Sequence, residues 1–361
     1  MGLPAVTGWV VPFLKYMNTY EANTLTIHKP GDLLTMEFDT SGHILADGLI
    51  AKGQPATIVG PSGVGKSRLL LQLAVCNIIG REFIGFAMKQ QPAKWLIIQA
   101  ENSSHRLQQD MQHFADWAGG KDWRLVEKYL RITPDDLLLN LNEPANLKRI
   151  GRTIVEEEPG VVVFDPLNAF GMGSLNTDAG MINTCQELAH LSRLGDPEAA
   201  LIILHHTLTG KQGIKKAVGW DKASYSRGSK ALHAWTRGQI NVAPGDEHDS
   251  GKLVIACGKN SNGPEFKPFG IVLNQKTMVY EMDETFDIAE WKANLAGESA
   301  PAHRPTSANI TQFLTVPVRK AKLVDLIMEE YGCQKSNAYK VIAAAEGRTI
   351  KRNAQGRYVA I

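Results

Sequence analysis

The stretch Ala56-Thr57-Ile58-Val59-Gly60-Pro61-Ser62-Gly63-Val64-Gly65-Lys66-Ser67, continued by Arg68-Leu69-Leu70-Leu71-Gln72-Leu73-Ala74, fixes the class of fold. It reads as an apolar strand, a glycine-rich turn and a helix. The turn matches G-x-x-x-x-G-K-[ST] completely, and a chance match in a chain this long is on the order of one in a hundred at average residue frequencies. Glycines let the backbone curl so that successive N–H groups point inward at phosphate oxygens. Lys66 suits the β- and γ-phosphates, and the Ser67 hydroxyl suits Mg²⁺. The helix beginning near Ser67 adds the positive end of its dipole. Gly60, Pro61, Ser62, Gly63, Val64, Gly65, Lys66, Ser67 and Arg68 are therefore the expected nucleotide-binding residues, with ATP and Mg²⁺ as ligands. Lys66 reads as an exposed loop lysine with little packing role.

Five further apolar runs accompany 56–59: 95–98, 161–164, 201–204, 254–257 and 270–273. Near-continuous apolarity without alternation fits strands buried on both faces of a mostly parallel sheet, with helical crossovers between them. The fold expected is α/β. The runs after Trp235 are closely spaced and read as antiparallel or mixed.

Acidic and imidazole groups stand at the ends of these runs. Asp165 closes Val161-Val162-Val163-Phe164 and suits an aspartate that holds Mg²⁺ with Ser67. The alternative is an Asp that opens the turn before Pro166. Glu101 lies just beyond 95–98, a strand expected to neighbour 56–59. It reads as a general base for the attacking water, or as a cap of the following helix. His205 and His206 end 201–204. Adjacent strand residues point to opposite faces, which disfavours a paired-histidine metal site. One of the two can reach the γ-phosphate.

From Thr207 to Lys230 the chain carries Lys211, Lys215, Lys216, Lys222, Arg227 and Lys230, with Trp220 and Tyr225 interleaved. Charge for phosphates and rings for bases suit single-stranded nucleic acid. A disordered surface loop is the other reading.

The 361 residues suit two to two and a half domains at about 150 residues each. With 43% hydrophobic and 21% charged residues the chain is neither disordered nor fibrous. The longest apolar stretches, such as 69–79, are too short to span a bilayer, and the N-terminus shows no signal-peptide pattern. Cys76, Cys185, Cys257 and Cys333 lack C-x-x-C spacing, which argues against zinc and disulfides and fits a reducing cytoplasm. Net charge is +2, but residues 305–361 carry nine Lys/Arg against four Asp/Glu, so the tail is +5 and the rest −3.

Four segments result: a weakly patterned 1–45, an ATPase domain 46–295, an Ala-, Pro- and Ser-rich linker 296–309, and a basic module 310–361. In the module, 318–331 reads as an amphipathic helix and Ser336 as the cap of a second helix. A basic hairpin turns near Asn353 to Gly356. This is the layout of a winged helix-turn-helix, with Lys335, Lys340, Lys351, Arg352 and Arg357 as candidate duplex-DNA contacts. A helical dimerisation cap is the alternative.

Together, IVGPSGVGKS, IIQAEN, VVVFDPL, LIILHHT, SRGSKALHAWTRGQ and ACGKNSNGP resemble the RecA-like hexameric replicative helicases. The likeness is greatest to those of the RepA plasmid type and their phage and prophage relatives. The resemblance implies a RecA-like P-loop core in a homo-oligomeric ring, normally a hexamer, with ATP between subunits. It implies that Arg227 and Lys259 reach the neighbour's γ-phosphate, and that the 207–226 loop grips single-stranded DNA in a central channel. The expected role is a DNA helicase in replication of a mobile element or prophage. A RecA-type recombination or remodelling ATPase and an ATP-switched DNA-binding regulator are the competitors. The basic module lies outside the resemblance.

Overall fold

The computed structural model describes residues 27–36, 42–88, 93–134, 139–207, 220, 225, 230–295, 305, 309–331 and 335–361. The chain divides into two units, Met1–Thr40 and Ser41–Ile361. In the first, the short helix α1 (Pro30–Thr35) starts on a proline and buries none of its residues.

The second unit opens with an antiparallel pair, β1 (His43–Leu45) and β2 (Ile50–Ala51). There follow β3 (Pro55–Gly60), α2 (Lys66–Ile79), β4 (Trp95–Gln99), α3 (Ser104–Ala118), α4 (Gly120–Tyr129) and β5 (Leu130–Ile132). Next come α5 (Pro144–Glu157), β6 (Val161–Asp165), α6 (Asp178–Ser192), β7 (Ala200–His206) and α7 (Ala231–Trp235). The remaining elements of this part are β8 (Gly238–Pro244), β9 (Lys252–Asn260), β10 (Phe269–Leu273), β11 (Tyr280–Asp283) and α8 (Ile288–Leu295). Nine strands form one sheet in the order β11-β10-β9-β8-β3-β7-β6-β4-β5. From β8 to β5 every pairing is parallel, and β9, β10 and β11 extend the sheet antiparallel. The expected mostly parallel α/β sheet is thus present, and all six apolar runs are strands.

Alternate residues of the central strands feed two cores, as a side-chain period of two requires. Trp95, Ile97, Val161, Val163, Ile202 and Leu204 pack on the side of α2. Leu96, Ile98, Val162, Phe164, Leu201 and Ile203 pack with residues of α5 and α6. Every residue of α2 except Ser67 and Ile79 is buried. Its apolar residues face all sides, and the buried Arg68, Gln72 and Asn77 between them are hydrogen-bonded, as an interior helix requires.

Strand order corrects one expectation. β4 does not neighbour β3; β7 and β6 lie between them. The crossover from β3 skips two positions that the chain fills later, and no local pattern records that choice.

A third apolar cluster overturns the reading of two aromatics as base-stacking rings. Trp220 and Tyr225 are each 5% exposed and pack with Val59, Ala243, Val254, Ala256 and Trp291. The Trp220 ring meets Trp291 edge to face at 4.8 Å. Its carbonyl accepts a 2.7 Å hydrogen bond from the buried amide of Asn241, and Asn241 accepts one of 2.8 Å from Gln239. These rings anchor their segment to the sheet and are unavailable to nucleobases.

In the C-terminal part, α9 (Lys320–Tyr331), α10 (Lys335–Ala345) and the hairpin β12 (Ile350–Arg352) with β13 (Tyr358–Ala360) share their own core of Ile310, Leu323, Val324, Ile327, Ala338, Ile342, Ile350 and Tyr358. α10 starts at Lys335, so Ser336 lies inside the helix rather than capping it. Linker residues 296–304 and 306–308 fall outside the described residues.

Because Trp220 is a core residue, Trp220→Ala should lower stability by about 3–5 kcal/mol, the usual cost of a large aromatic truncated in a core. Urea unfolding of the purified protein checks this. An unchanged midpoint would return Trp220 to the surface.

Candidate functional site

Four parallel strands end at one edge of the sheet. Gly60 of β3 is level with His206 of β7, and Gln99 of β4 with Asp165 of β6. Open parallel sheets bind ligands outside the carboxyl ends of their strands. The turn 60–65 leaves β3 here, and Gly65, at φ +99°, enters α2 in a left-handed conformation open to glycine. A Cβ on Gly65 would also overlap the Tyr280 hydroxyl.

Lys66 corrects the expectation of an exposed loop residue. It is 5% exposed and begins α2. Its Nζ donates to the carbonyls of Gly60 at 3.0 Å and Pro61 at 2.8 Å, and lies 3.1 Å from His206 Nδ1. Burial pushes its pKa down to about 8, against the pull of Asp165 and Glu101. Asp165, 4% exposed, moves the other way. Burial raises it to about 6, opposed by the Ser67 hydrogen bond and by Lys66. Both shifts have one cause: charged groups gathered in a dry cleft.

Asp165 ends β6 directly before Pro166 and the turn that follows. Its carboxylate accepts from Ser67. A hydroxyl beside a carboxylate is a hard oxygen pair that fits Mg²⁺, which takes few protein ligands and completes its shell from phosphate and water. Among the described residues no group of three or more His, Cys, Asp or Glu is placed to hold a metal.

Glu101 lies just past β4 with its side chain 55% exposed, and Oε1 is 3.7 Å from His206 Nε2. It does not cap α3. That role belongs to Ser103, whose Oγ accepts from Arg106 N. Of the two histidines, His206 stands between Lys66 and Glu101, while His205 is a buried neighbour on the same strand.

Other expected residues lie elsewhere. The Arg68 guanidinium pairs with Asp110 and donates to the Met278 carbonyl at 2.9 Å, so its side chain braces α2 instead of facing the turn. Lys259 Nζ donates to the carbonyls of His233 and Ala234. Through Gln239 it is level with Thr57, three residues before Gly60, or about 10 Å back along the strands. It therefore does not serve its own chain's turn. Lys211, Lys215, Lys216, Lys222 and Arg227 lie outside the described residues. In the C-terminal part Lys335, Lys340 and Lys351 are exposed and Arg357 half-buried. Arg352 is exposed as well, and its guanidinium pairs with Glu346 at 2.9 Å and donates to the Tyr358 hydroxyl at 2.9 Å, bracing the hairpin.

The sequence reading missed two residues. Gln72 exchanges two 2.7 Å hydrogen bonds with the backbone of Tyr280, and so ties α2 to the far edge of the sheet. Gln99 holds the turn that carries Glu101. The available signal was a polar residue inside an apolar run, as in Leu69–Ile79 and at the end of 95–98.

No curated protein matches the chain. Among solved structures, a crystal structure of the RadB recombinase aligns over 65% of this chain and 93% of that one, with 15% identity and a TM-score of 0.45. No described helix is long and apolar enough to cross a membrane. A family profile described as AAA domain matches residues 31–213, which is just over half of the 361 residues and includes the turn, Glu101, Asp165 and His206. The chain belongs to this AAA domain family.

Proposed function

We propose that the protein hydrolyses ATP and works as a DNA motor. In this reading it is a helicase or translocase in the replication of a mobile element or prophage, acting as a homo-oligomeric ring. The observation that carries hydrolysis, rather than mere nucleotide occupancy, is Glu101 set across His206 from Lys66.

Each residue then has a chemical task. Backbone N–H groups of the turn and Lys66 bind the β- and γ-phosphates, which replace the Gly60 and Pro61 carbonyls as partners of Nζ. Ser67 and Asp165 hold Mg²⁺, which supplies charge neutralisation on the phosphate oxygens. Glu101 takes a proton from water as the water oxygen attacks the γ-phosphorus and the bond to the bridging oxygen breaks, giving ADP and phosphate. His206 contacts the γ-phosphate and reports its loss.

Lys259 stands about 10 Å back along the strands from its own chain's turn, which supports action in trans on a neighbouring copy's phosphates. Arg227 is assigned the same role. Lys211, Lys215, Lys216 and Lys222 are assigned to single-stranded DNA. Lys335 and Lys340 on α10, with Lys351 and Arg357, are assigned to duplex phosphates in a winged-helix manner. Strand separation at a fork by a closed ring separates this reading from a strand-exchange ATPase, which forms filaments. Turnover itself separates it from an ATP-switched regulator.

Glu101→Gln should keep nucleotide affinity and lower ATP turnover by about 10²–10⁴, the typical contribution of a general base. Turnover near the wild-type rate would remove the base from this site.

For the trans role, Arg227→Ala and Lys66→Ala proteins should each lose activity, the first by about 10³–10⁵. Mixed, they should recover part of it, because some interfaces pair an intact turn with an intact arginine. With subunit exchange confirmed by a labelled protomer, no recovery excludes action in trans.

Lys335→Glu with Lys340→Glu in the full chain should weaken duplex binding and flatten its salt dependence, by about one unit of log–log slope per lost phosphate contact. Identical salt series for variant and wild type would remove α10 from the DNA interface.

A further inference from the structure

Gln99 ends β4 and is 1% exposed. Four hydrogen bonds converge on its carboxamide. The oxygen accepts from Glu101 N at 3.1 Å and Asn102 N at 2.7 Å. The nitrogen donates to the carbonyls of Asn102 at 2.9 Å and Thr133 at 3.0 Å. Two acceptor bonds and two donor bonds satisfy every position the group has.

The backbone around it is also held. Gln99 N donates to Thr133 Oγ1 at 3.0 Å, and the Thr133 hydroxyl reaches the Gln99 carbonyl at 3.3 Å. One residue on, Ala100 N donates to the carbonyl of Asp165 at 3.0 Å. Past this point β4 has left the sheet ladder, and the next helix does not begin until Ser104. Backbone donors in such a gap need partners. Gln99 supplies them for Glu101 and Asn102, the two residues whose placement decides where the Glu101 carboxylate can go.

Glu101 itself is loosely held. Its side chain is more than half exposed, and the His206 imidazole stands 3.7 Å from its Oε1. Its direction therefore depends on its backbone. Displacements near 1 Å at a reacting group can cost about a hundredfold in rate.

We propose that Gln99 is the positioning residue of the hydrolytic site. Its carboxamide fixes the backbone N–H groups of Glu101 and Asn102, and so aims the Glu101 carboxylate at the γ-phosphate side of the cleft. Gln99 touches neither nucleotide nor metal. The inference rests on Glu101 being the general base.

The test is a double-mutant cycle in the full-length protein, comparing wild type, Gln99→Met, Glu101→Gln and the double variant. Readouts are kcat for ATP and the Kd of a fluorescent nucleotide. Methionine keeps the volume and removes both hydrogen-bonding ends. Gln99→Met should lower kcat about 10–100-fold with Kd nearly unchanged. The double variant should be no slower than Glu101→Gln alone, because a residue acting through Glu101 has nothing left to position. Multiplying losses, or an unchanged kcat for Gln99→Met, would overturn the proposal. If Gln99→Met does not fold, Gln99→Glu decides, since it keeps the acceptor for both N–H groups. It should retain turnover well above Glu101→Gln, and turnover as low as that variant would overturn the proposal. Wild-type protein that hydrolyses no ATP, with or without single-stranded DNA, would instead defeat the hydrolase reading beneath it.

Discussion

A buried ammonium holds the glycine-rich turn closed. Lys66 Nζ bonds the carbonyls of Gly60 and Pro61 and lies beside His206. It thereby ties the end of β3 to the end of β7 and gathers the backbone into a cradle. An ammonium with 5% exposure is costly unless charge balances it. The lowered pKa of Lys66 and the raised pKa of Asp165 express that cost from both sides. A cleft that buries a cation and an anion and still strains both is poised for a ligand with charge of its own. A polyphosphate with a divalent cation meets this need: anionic oxygens for Lys66, a metal for Ser67 and Asp165.

The sheet makes this arrangement possible. Parallel strands bring Gly60, Gln99, Asp165 and His206 to one edge from sequence positions spread over almost 150 residues. The antiparallel extension matters as well. β11 reaches back over α2, where Gln72 and Arg68 bind backbone groups of Tyr280 and Met278 and the Tyr280 hydroxyl packs against Gly65. The outer edge of the sheet thus braces the turn that leaves its centre.

Much of this was legible in the sequence, for a physical reason. Strands buried on both faces are apolar almost without interruption, so the parallel strands β3, β4, β6 and β7 stood out, and with them the antiparallel β9 and β10. β8 did not, because Gln239 and Asn241 break its apolar pattern. Both are buried, Gln239 donates to Asn241 and Asn241 donates to the Trp220 carbonyl, a solution visible only in three dimensions. The order of parallel strands is set by crossovers, so the distance of Glu101 from β3 could not be read locally. Composition failed in a different way at Trp220 and Tyr225. Aromatic residues suit nucleic acid, yet the same side chains can anchor a segment. Only burial and partners separate the two uses.

One structure would test the cleft as a whole: crystals of the protein with Mg²⁺ and a non-hydrolysable ATP analogue. Lys66 Nζ should leave the Gly60 and Pro61 carbonyls for the β- and γ-phosphate oxygens, with the metal on Ser67 and Asp165. The γ-phosphate should lie within reach of His206, and a water beside Glu101 should stand in line with the γ-phosphorus. A triphosphate bound elsewhere, or bound with Lys66 still on its two carbonyls and Glu101 turned to solvent, would contradict the assignment.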